Sequence, residues 1–258
     1  MNTELVFLGT GTSHGIPMIG CSCGVCRSGD SRDRRNRAAA FLRTGAGRVI
    51  LIDAPPELRL AAVATGLERV DAILFTHAHA DHIMGLDDVR RFNDIVRAAI
   101  PCYGNAPALE RLARVFDYAA MPYDLCHSDR PSLRWELLEA PADIAGLTVE
   151  PVPLLHGPLE VLGFRIAGFA YCTDVSEIPP ASWKRLEGLG LLVLDALRRT
   201  PHPTHFNLEQ ALEVVARLRP RRTLLTHITH ELAHEATNRS LPPNVELAYD
   251  GLRLALDL

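Results

Sequence analysis

Residues 77–82 read His-Ala-His-Ala-Asp-His, and no other stretch of the chain narrows its fold as much. The run before them, Ala72-Ile73-Leu74-Phe75, has strand length and strand chemistry. The cluster therefore sits where a buried strand ends and the chain turns. Side chains two apart on an extended segment point the same way, so His77 and His79 can face one ion. Asp81 and His82 fall where the turn begins and can reach a second ion nearby. Imidazole together with carboxylate suits zinc, manganese or iron. A lone histidine is more often structural or solvated. Four ligand-type residues within six positions at a strand end point instead to a metal centre.

A second cluster precedes it. Cys21-Ser22-Cys23-Gly24-Val25-Cys26 places three thiols at C-x-C-x2-C spacing, which suits a tetrahedral zinc that needs one more donor. Several histidines could supply it. The start of the chain, Met-Asn-Thr-Glu-Leu-Val-Phe-Leu, reads as a first strand rather than an export signal. A cytoplasmic location is therefore expected, disulfides are disfavoured, and clustered thiols suggest metal. Cys102, Cys126 and Cys172 read as ordinary buried or partly buried thiols. No apolar run approaches the roughly 20 residues of a membrane span, so no membrane partner is expected. The net charge of −4 gives no overall basic footprint, which disfavours nucleic acid as a partner.

The 258 residues suit one large layered α/β unit. Strands are expected at 4–8, Ala39–Arg43, Val49–Ile52, Ile100–Tyr103, Leu133–Leu138, Leu147–Leu154, Val161–Ile166, Phe169–Thr173, Leu189–Leu194 and Arg222–Thr226. Helices are expected at Glu57–Gly66, Asp87–Ala98, Pro107–Tyr118, Pro180–Leu186 and Asn207–Leu218. Val245–Leu256 reads as a strand pair around Asp250-Gly251. The loop Gly9-Thr10-Gly11-Thr12-Ser13-His14-Gly15 is either a plain strand-to-loop turn or a substrate-facing one. Arg27, Arg32, Arg34, Arg35 and Arg37 form a local basic run, for which solvated surface is the leading reading and phosphate or dimer contacts the other.

The pattern His77-Ala78-His79-Ala80-Asp81-His82 after an apolar strand resembles the metallo-β-lactamase superfamily of hydrolases at every fixed position of its signature. Gly20–Cys26 and Leu225-Thr226-His227-Ile228-Thr229-His230 resemble one branch of it, the phosphodiesterases of the carbon–phosphorus lyase pathway, which act on phosphoribosyl cyclic phosphate. The resemblance covers nearly the whole chain. It implies an αββα four-layer sandwich over residues 1–258 with a zinc-binding insert near 20–37. The strands-then-helix order, which occurs twice, fits that architecture.

For the site, the resemblance adds His156, Asp174 and His227, each at a strand end after an apolar run. It implies His77, His79 and His156 on one metal, Asp81, His82 and His227 on the other, and Asp174 as the bridge. It further implies His230 as the fourth ligand of a structural zinc with Cys21, Cys23 and Cys26. His205 is then the acid that protonates the leaving oxygen, counted as catalytic alongside Asp81. Asp195 orients His205, and Asp53 supports the metal-bearing loop. His202 rivals His205 on residue type alone.

The implied function is hydrolysis of small cyclic phosphate diesters, of the phosphoribosyl 1,2-cyclic phosphate or 2′,3′-cyclic nucleotide type, by a two-metal-activated hydroxide. The cofactors are two Mn2+ or Zn2+ ions and one structural Zn2+, the partner a small phosphodiester, and the assembly a homodimer. Alternatives are a tRNA 3′-processing endonuclease, a thioester, lactone or β-lactam hydrolase, and a carrier protein with a vestigial site. The first wants a protruding Lys-rich arm that this sequence lacks. The second fits His205 and the cysteine insert less well. The last is hard to square with seven ligand-type residues.

Overall fold

A computed structural model describes residues 2–119 and 130–257. Cys126 lies outside the described residues. The first half of the chain supplies β1 (Asn2–Gly9), β2 (Ala39–Arg43), β3 (Val49–Ile52), β4 (Ala72–Leu74), β5 (Ile100–Gly104) and β6 (Leu133–Leu137). The second half supplies β7 (Ala142–Ile144), β8 (Leu147–His156), β9 (Leu159–Ile166), β10 (Phe169–Cys172), β11 (Leu191–Asp195), β12 (Arg222–Thr226), β13 (Val245–Leu247) and β14 (Arg253–Asp257). Among the described residues these form two seven-stranded sheets, ordered β14-β1-β2-β3-β4-β5-β6 and β13-β12-β11-β10-β9-β8-β7. Each sheet is part antiparallel and part parallel. The parallel runs are β3 to β6 in one and β10 to β13 in the other.

Strand composition explains the layering. In β1, Leu5 and Phe7 enter the core between the sheets, while Val6 and Leu8 face the opposite way into a second core. In β2, Ala40 and Leu42 do the first and Ala39 and Phe41 the second. Strands buried on both faces must be apolar at every position. The second core is closed by α1 (Leu58–Thr65), α3 (Arg90–Val96) and α4 (Ala106–Val115), through Leu58, Phe92 and Leu112 among others. A third core lies outside the other sheet, under α5 (Pro180–Trp183), α6 (Leu208–Leu218) and α7 (His234–Asn238). Three cores between four layers make the αββα sandwich. Losing one buried aromatic from the central core, such as Phe164, would cost about 3–5 kcal/mol.

The structure departs from the sequence expectation in places. Val245–Leu256 is not a hairpin: β13 pairs parallel with β12, whereas β14 pairs antiparallel with β1 in the other sheet. The chain crosses the sandwich at Asp250-Gly251. The helix expected at Asp87–Ala98 is a 3-10 turn, Leu86–Val89, followed by α3. The one expected at Pro180–Leu186 is α5 followed by a 3-10 turn. Two short helices, α2 (Ala80–Ile83) and α7, had no clear periodic signal. The arginine run is solvated only in part: Arg27 and Arg34 are exposed, whereas the other three are engaged with the fold. Arg35 is 2% exposed and donates to Thr229 O at 2.9 Å, to Leu232 O at 2.7 Å and to Asp33 at 3.2 Å. Arg32 pairs with Asp30 and Glu235, and Arg37 with Glu57. The glycine loop packs against the same segment. A Cβ on Gly9 would meet the Arg37 carbonyl oxygen at 2.0 Å, and one on Gly11 the Arg35 Cβ at 2.8 Å. Close backbone approach therefore accounts for both glycines.

Candidate metal centre

The ligand-type side chains collect at one edge of the sandwich, where β4, β8, β10, β11 and β12 end. His77 and His79 follow β4, and Asp81 and His82 lie on α2 immediately after. His156 ends β8, Asp174 follows β10, and His227 follows β12. The two sheets thus face each other across the cluster, the first supplying four side chains and the second three. Asp53, Asp174 and His227 turn their strand ends through left-handed φ values of 61°, 57° and 59°. Non-glycine residues seldom adopt that conformation, and it is held where surrounding structure enforces it.

At this edge several groups of side chains present ligand atoms within 4.8 Å of one another, among them His77, His79 and His156; His77, His82 and Asp174; Asp81, His82 and His227; and His156, Asp174 and His205. His82 Nε2 lies 3.3 Å from Asp174 Oδ2 and 3.4 Å from Asp81 Oδ2. His227 Nε2 lies 3.3 Å from Asp174 Oδ1 and 3.8 Å from Asp81 Oδ2. Donors about 2.0–2.2 Å from one tetrahedral ion stand roughly 3.3–3.6 Å apart, so the spacing is that of ligands around a cation. The Nε2 atoms of His77, His82 and His227 are buried without a hydrogen-bond partner. Buried polar atoms are normally satisfied, and these converge on carboxylates. The donor set fits divalent ions.

Second partners set which ring nitrogen is free. His82 Nδ1 meets Asp53 Oδ2 at 2.8 Å. Thr76 donates its backbone N–H to Asp53 Oδ1 at 2.9 Å and its hydroxyl to Oδ2 at 2.8 Å. His77 Nδ1 meets the same hydroxyl at 3.0 Å. With the hydroxyl hydrogen committed to Asp53, His77 Nδ1 is the donor. One carboxylate thus fixes the proton on Nδ1 of two histidines and leaves both Nε2 lone pairs for a cation. His156 Nδ1 donates to Thr204 O at 2.6 Å, which does the same for a third.

The charges are arranged to be exchanged for metal. Burial, and then the neighbouring His82, hold His77 well below the usual imidazole range. Burial opposes charge on His227, yet Asp174 and Asp81 raise it to about 9. His82 is likewise raised well above its ordinary value against its desolvation, by Asp174 and Asp53. Asp174 is held well below the carboxylate range despite complete burial, by His227, His82 and His77.

His205 stands against this cluster. Its ring centroid is 4.5 Å from that of His156 and 4.7 Å from that of His227. Its Nδ1 meets Asp195 Oδ2 at 2.7 Å, and that oxygen also accepts the Val175 N–H at 2.9 Å. The loop that carries it is pinned. Phe206 N donates to Val175 O, and Leu208 N to Arg198 O. Asn207 and Gln210 cap α6 reciprocally at 2.8 and 3.0 Å. Among the described residues His202, the rival, has no carboxylate hydrogen-bond partner; its Nδ1 meets Thr204 instead.

The three thiols lie away from this cluster, in the connection between β1 and β2. His230 Nδ1 is 3.2 Å from Cys21 Sγ and 3.5 Å from each of Cys23 Sγ and Cys26 Sγ. That again is ligand spacing rather than ordinary packing. The Cys26 N–H lowers Cys23 to about 6, whereas burial pushes Cys26 up to about 11. Three thiolates side by side need a cation to deprotonate together. Cys102 and Cys172 are buried thiols raised by burial alone or nearly so. Thr76 and the Thr204 carbonyl escaped the sequence reading. A threonine directly before a strand-end histidine is a weak signal, and a backbone carbonyl leaves none.

Comparison with known proteins agrees with this geometry. The pattern of the beta-lactamase superfamily domain matches residues 48–228. A protein of Porphyromonas gingivalis named octanoyltransferase is 36% identical over 98% of this chain, and the chain spans 51% of that protein's length. A ribonuclease Z of Mycobacterium sp. (strain KMS) is 27% identical, covering 84% of this chain and 89% of its own. A crystal structure of a diphosphatase from the PhnP family matches with a TM-score of 0.92 at 42% identity, covering 99% of this chain and 98% of that one. The short form of human tRNase Z, at 19% identity and a TM-score of 0.71, shares the fold. This chain belongs to the beta-lactamase superfamily.

Proposed function

We propose that the chain is a phosphodiesterase for small cyclic phosphate diesters, of the phosphoribosyl 1,2-cyclic or 2′,3′-cyclic nucleotide type. The observation that carries the reading is His205, backed by Asp195 at 2.7 Å and set against His156 and His227. An alkoxide is a poor leaving group and needs a proton as it departs. A thiolate needs none, so such a histidine favours a phosphate ester over a thioester. His77, His79 and His156 would hold one divalent ion, Asp81, His82 and His227 a second, and Asp174 both. Such ions supply Lewis acidity toward phosphoryl oxygens and a nucleophile at neutral pH.

The chain's own residues do the rest. Asp53, Thr76 and the Thr204 carbonyl keep three imidazoles in the ligating tautomer. Asp195 holds the proton on His205 Nδ1 and steadies the imidazolium, which gives its Nε2 proton to the leaving oxygen. Cys21, Cys23, Cys26 and His230 would take a structural zinc that ties the 20–37 insert to the segment after β12. The 36% identical octanoyltransferase is about twice as long as this chain, so its name supports no reading of this half-length match.

A second reading, hydrolysis of a diphosphate anhydride, is favoured by the 42% identical PhnP-family diphosphatase. The ribonuclease Z likeness argues for RNA, but within the local arginine run Arg32, Arg35 and Arg37 are engaged with carboxylates of the fold, which leaves only Arg27 and Arg34 exposed. Rates on 2′,3′-cyclic AMP, a dinucleoside diphosphate, a glutathione thioester, a lactone and pre-tRNA, with Mn2+ or Zn2+ added, decide between these. The cyclic diester should lead the thioester and lactone by at least about 100-fold. Preference for the thioester or lactone overturns the reading, and so does cleavage of pre-tRNA with the cyclic ester untouched. Preference for the anhydride replaces it with the second.

A further inference from the structure

His202 stands one ring beyond His205. The centroids are 5.1 Å apart and the planes tilted by 53°. His205 is buried and His202 only partly so. A substrate whose phosphoryl group sits among the strand-end histidines, with its leaving oxygen at His205, therefore runs outward past His202.

The two imidazoles differ in what faces Nδ1. His205 Nδ1 faces a carboxylate and must be protonated to meet it. His202 Nδ1 faces the Thr204 backbone N–H at 3.3 Å and the Thr204 hydroxyl at 3.2 Å. A backbone N–H can only donate, so His202 Nδ1 is the acceptor and its single proton lies on Nε2. Among the described residues Nε2 has no protein partner. Burial, the His205 ring and the Arg198 guanidinium all disfavour a second proton. Arg198 is itself tied down by the Thr200 carbonyl at 3.2 Å and the Pro201 carbonyl at 2.9 Å. The loop therefore presents a fixed neutral N–H donor beside a fixed positive charge, next to the acid.

We propose that His202 is a specificity residue: its Nε2–H donates to an oxygen of the leaving portion of the substrate, a neighbouring sugar oxygen or an oxygen of a second phosphoryl group, close to the scissile bond. The inference rests on the phosphoryl-transfer reading above and adds the chemistry the site selects on its outer side. It separates the two histidines, since His205 moves a proton and His202 does not.

The test compares His202→Phe, which removes the donor, with His202→Gln, which keeps an N–H near the position of Nε2. The substrates are 2′,3′-cyclic AMP, whose leaving oxygen has the vicinal ester oxygen and the furanose ring oxygen as neighbours, and bis(p-nitrophenyl) phosphate, whose leaving group has no sugar oxygen near the scissile oxygen. His202→Phe should lower kcat/KM on the cyclic nucleotide about 3–10-fold, the usual net value of one neutral hydrogen bond. His202→Gln should recover most of that. Both variants should stay within about twofold of the parent on the aryl diester, with an unaltered pH profile.

Nitrogen-15 spectra of histidine-labelled protein without added metal should show His202 as the Nε2–H tautomer. Equal losses on both esters, or a Gln variant no better than Phe, would make His202 a support for its loop and overturn the proposal. An Nδ1–H tautomer would also overturn it. A parent protein inert on every phosphate ester and anhydride sinks the function proposed above, and this inference with it. An active parent with an unaffected His202→Phe sinks this one alone.

Discussion

Asp53 is buried completely and never reaches the candidate metals, yet replacing it by asparagine should weaken them. In the native site its two oxygens accept from the Thr76 N–H, the Thr76 hydroxyl and His82 Nδ1, all at 2.8–2.9 Å. An amide fills the same space, and asparagine tolerates the left-handed φ of 61° that this position demands. It offers only one acceptor oxygen. If that oxygen stays on the Thr76 N–H, the amide NH2 faces His82 Nδ1, and the ring must give up its Nδ1 proton. The Thr76 hydroxyl, meeting a donor, turns its hydrogen toward His77 Nδ1 and drives the same change there. If the amide flips, NH2 meets the Thr76 N–H with no acceptor between them.

Without metal His82 evades the mismatch by giving up its Nδ1 proton and keeping the one on Nε2, and His77 by changing tautomer. With metal they cannot, because Nε2 must keep its lone pair. One buried unmatched donor costs about 1–3 kcal/mol, which is about 5–150-fold in metal affinity. That agrees with the roughly 10–100-fold common for partners that orient a ligand. Competition with a fluorescent chelator, read separately for Zn2+ and Mn2+, measures it. Circular dichroism and the metal-free unfolding midpoint are the controls. Affinity within about twofold of the parent, in a normally folded variant, would refute the tautomer argument.

Three further outcomes are expected. His205→Ala should keep both metals and the fold, but lose roughly 10²–10⁴ in turnover on an alkoxide-leaving diester and much less on a nitrophenyl diester. Loss of metal in that variant would make His205 a ligand. Cys23→Ser should lower both zinc content and melting temperature, with the other two metals retained in the folded fraction. Elemental analysis that finds no third metal in the parent contradicts the cysteine site. Asp250 accepts from Thr10 Oγ1 at 2.8 Å and from the Asn36 N–H at 2.7 Å, and burial pushes it up to about 7 despite Arg35 nearby. A carboxyl raised above its unfolded value of about 3.9 stabilises fully below that pH, and the contribution fades as pH rises through about 7. Urea unfolding should therefore show Asp250→Asn losing less stability between pH 4 and 8 than the parent does, and equal slopes would show that Asp250 titrates normally.

Legibility in the sequence followed burial and periodicity. Val49–Ile52 is buried throughout, and its unbroken apolar run marked its bounds, whereas Arg222–Thr226 has only Leu224 and Leu225 as apolar residues and was legible as the strand that leads to His227. Val245–Leu256 misled because an Asp-Gly turn between apolar runs encodes two strands but not their partners. Val245 and Leu247 pack outside the second sheet, while Leu252 and Leu256 enter the central core. His77, His79, Asp81 and His82 were legible because four ligand-type residues crowd one strand end, whereas His156, Asp174 and His227, each alone at its strand end, were reached through resemblance. What holds them was less so. Asp53 was found through resemblance, whereas the Thr204 carbonyl under His156 is backbone and Arg35 hides in a run that looks like surface. A guanidinium can be buried when carbonyls such as those of Thr229 and Leu232 accept from it. Such acceptors are set by tertiary approach and leave no local pattern.

The left-handed backbone at Asp53, Asp174 and His227 bears on how such a protein can change. Each such residue stores about 1–3 kcal/mol that glycine would release. Selection or engineering that rewards stability alone would be drawn to glycine first at His227, whose buried ring nitrogens have no hydrogen-bond partner, and would take it at the cost of the site, whereas at Asp53 the same change would strip three buried donors of their acceptor. A heat-tolerant version that still works has to leave these strand ends strained and recover its stability in the outer helices and loops.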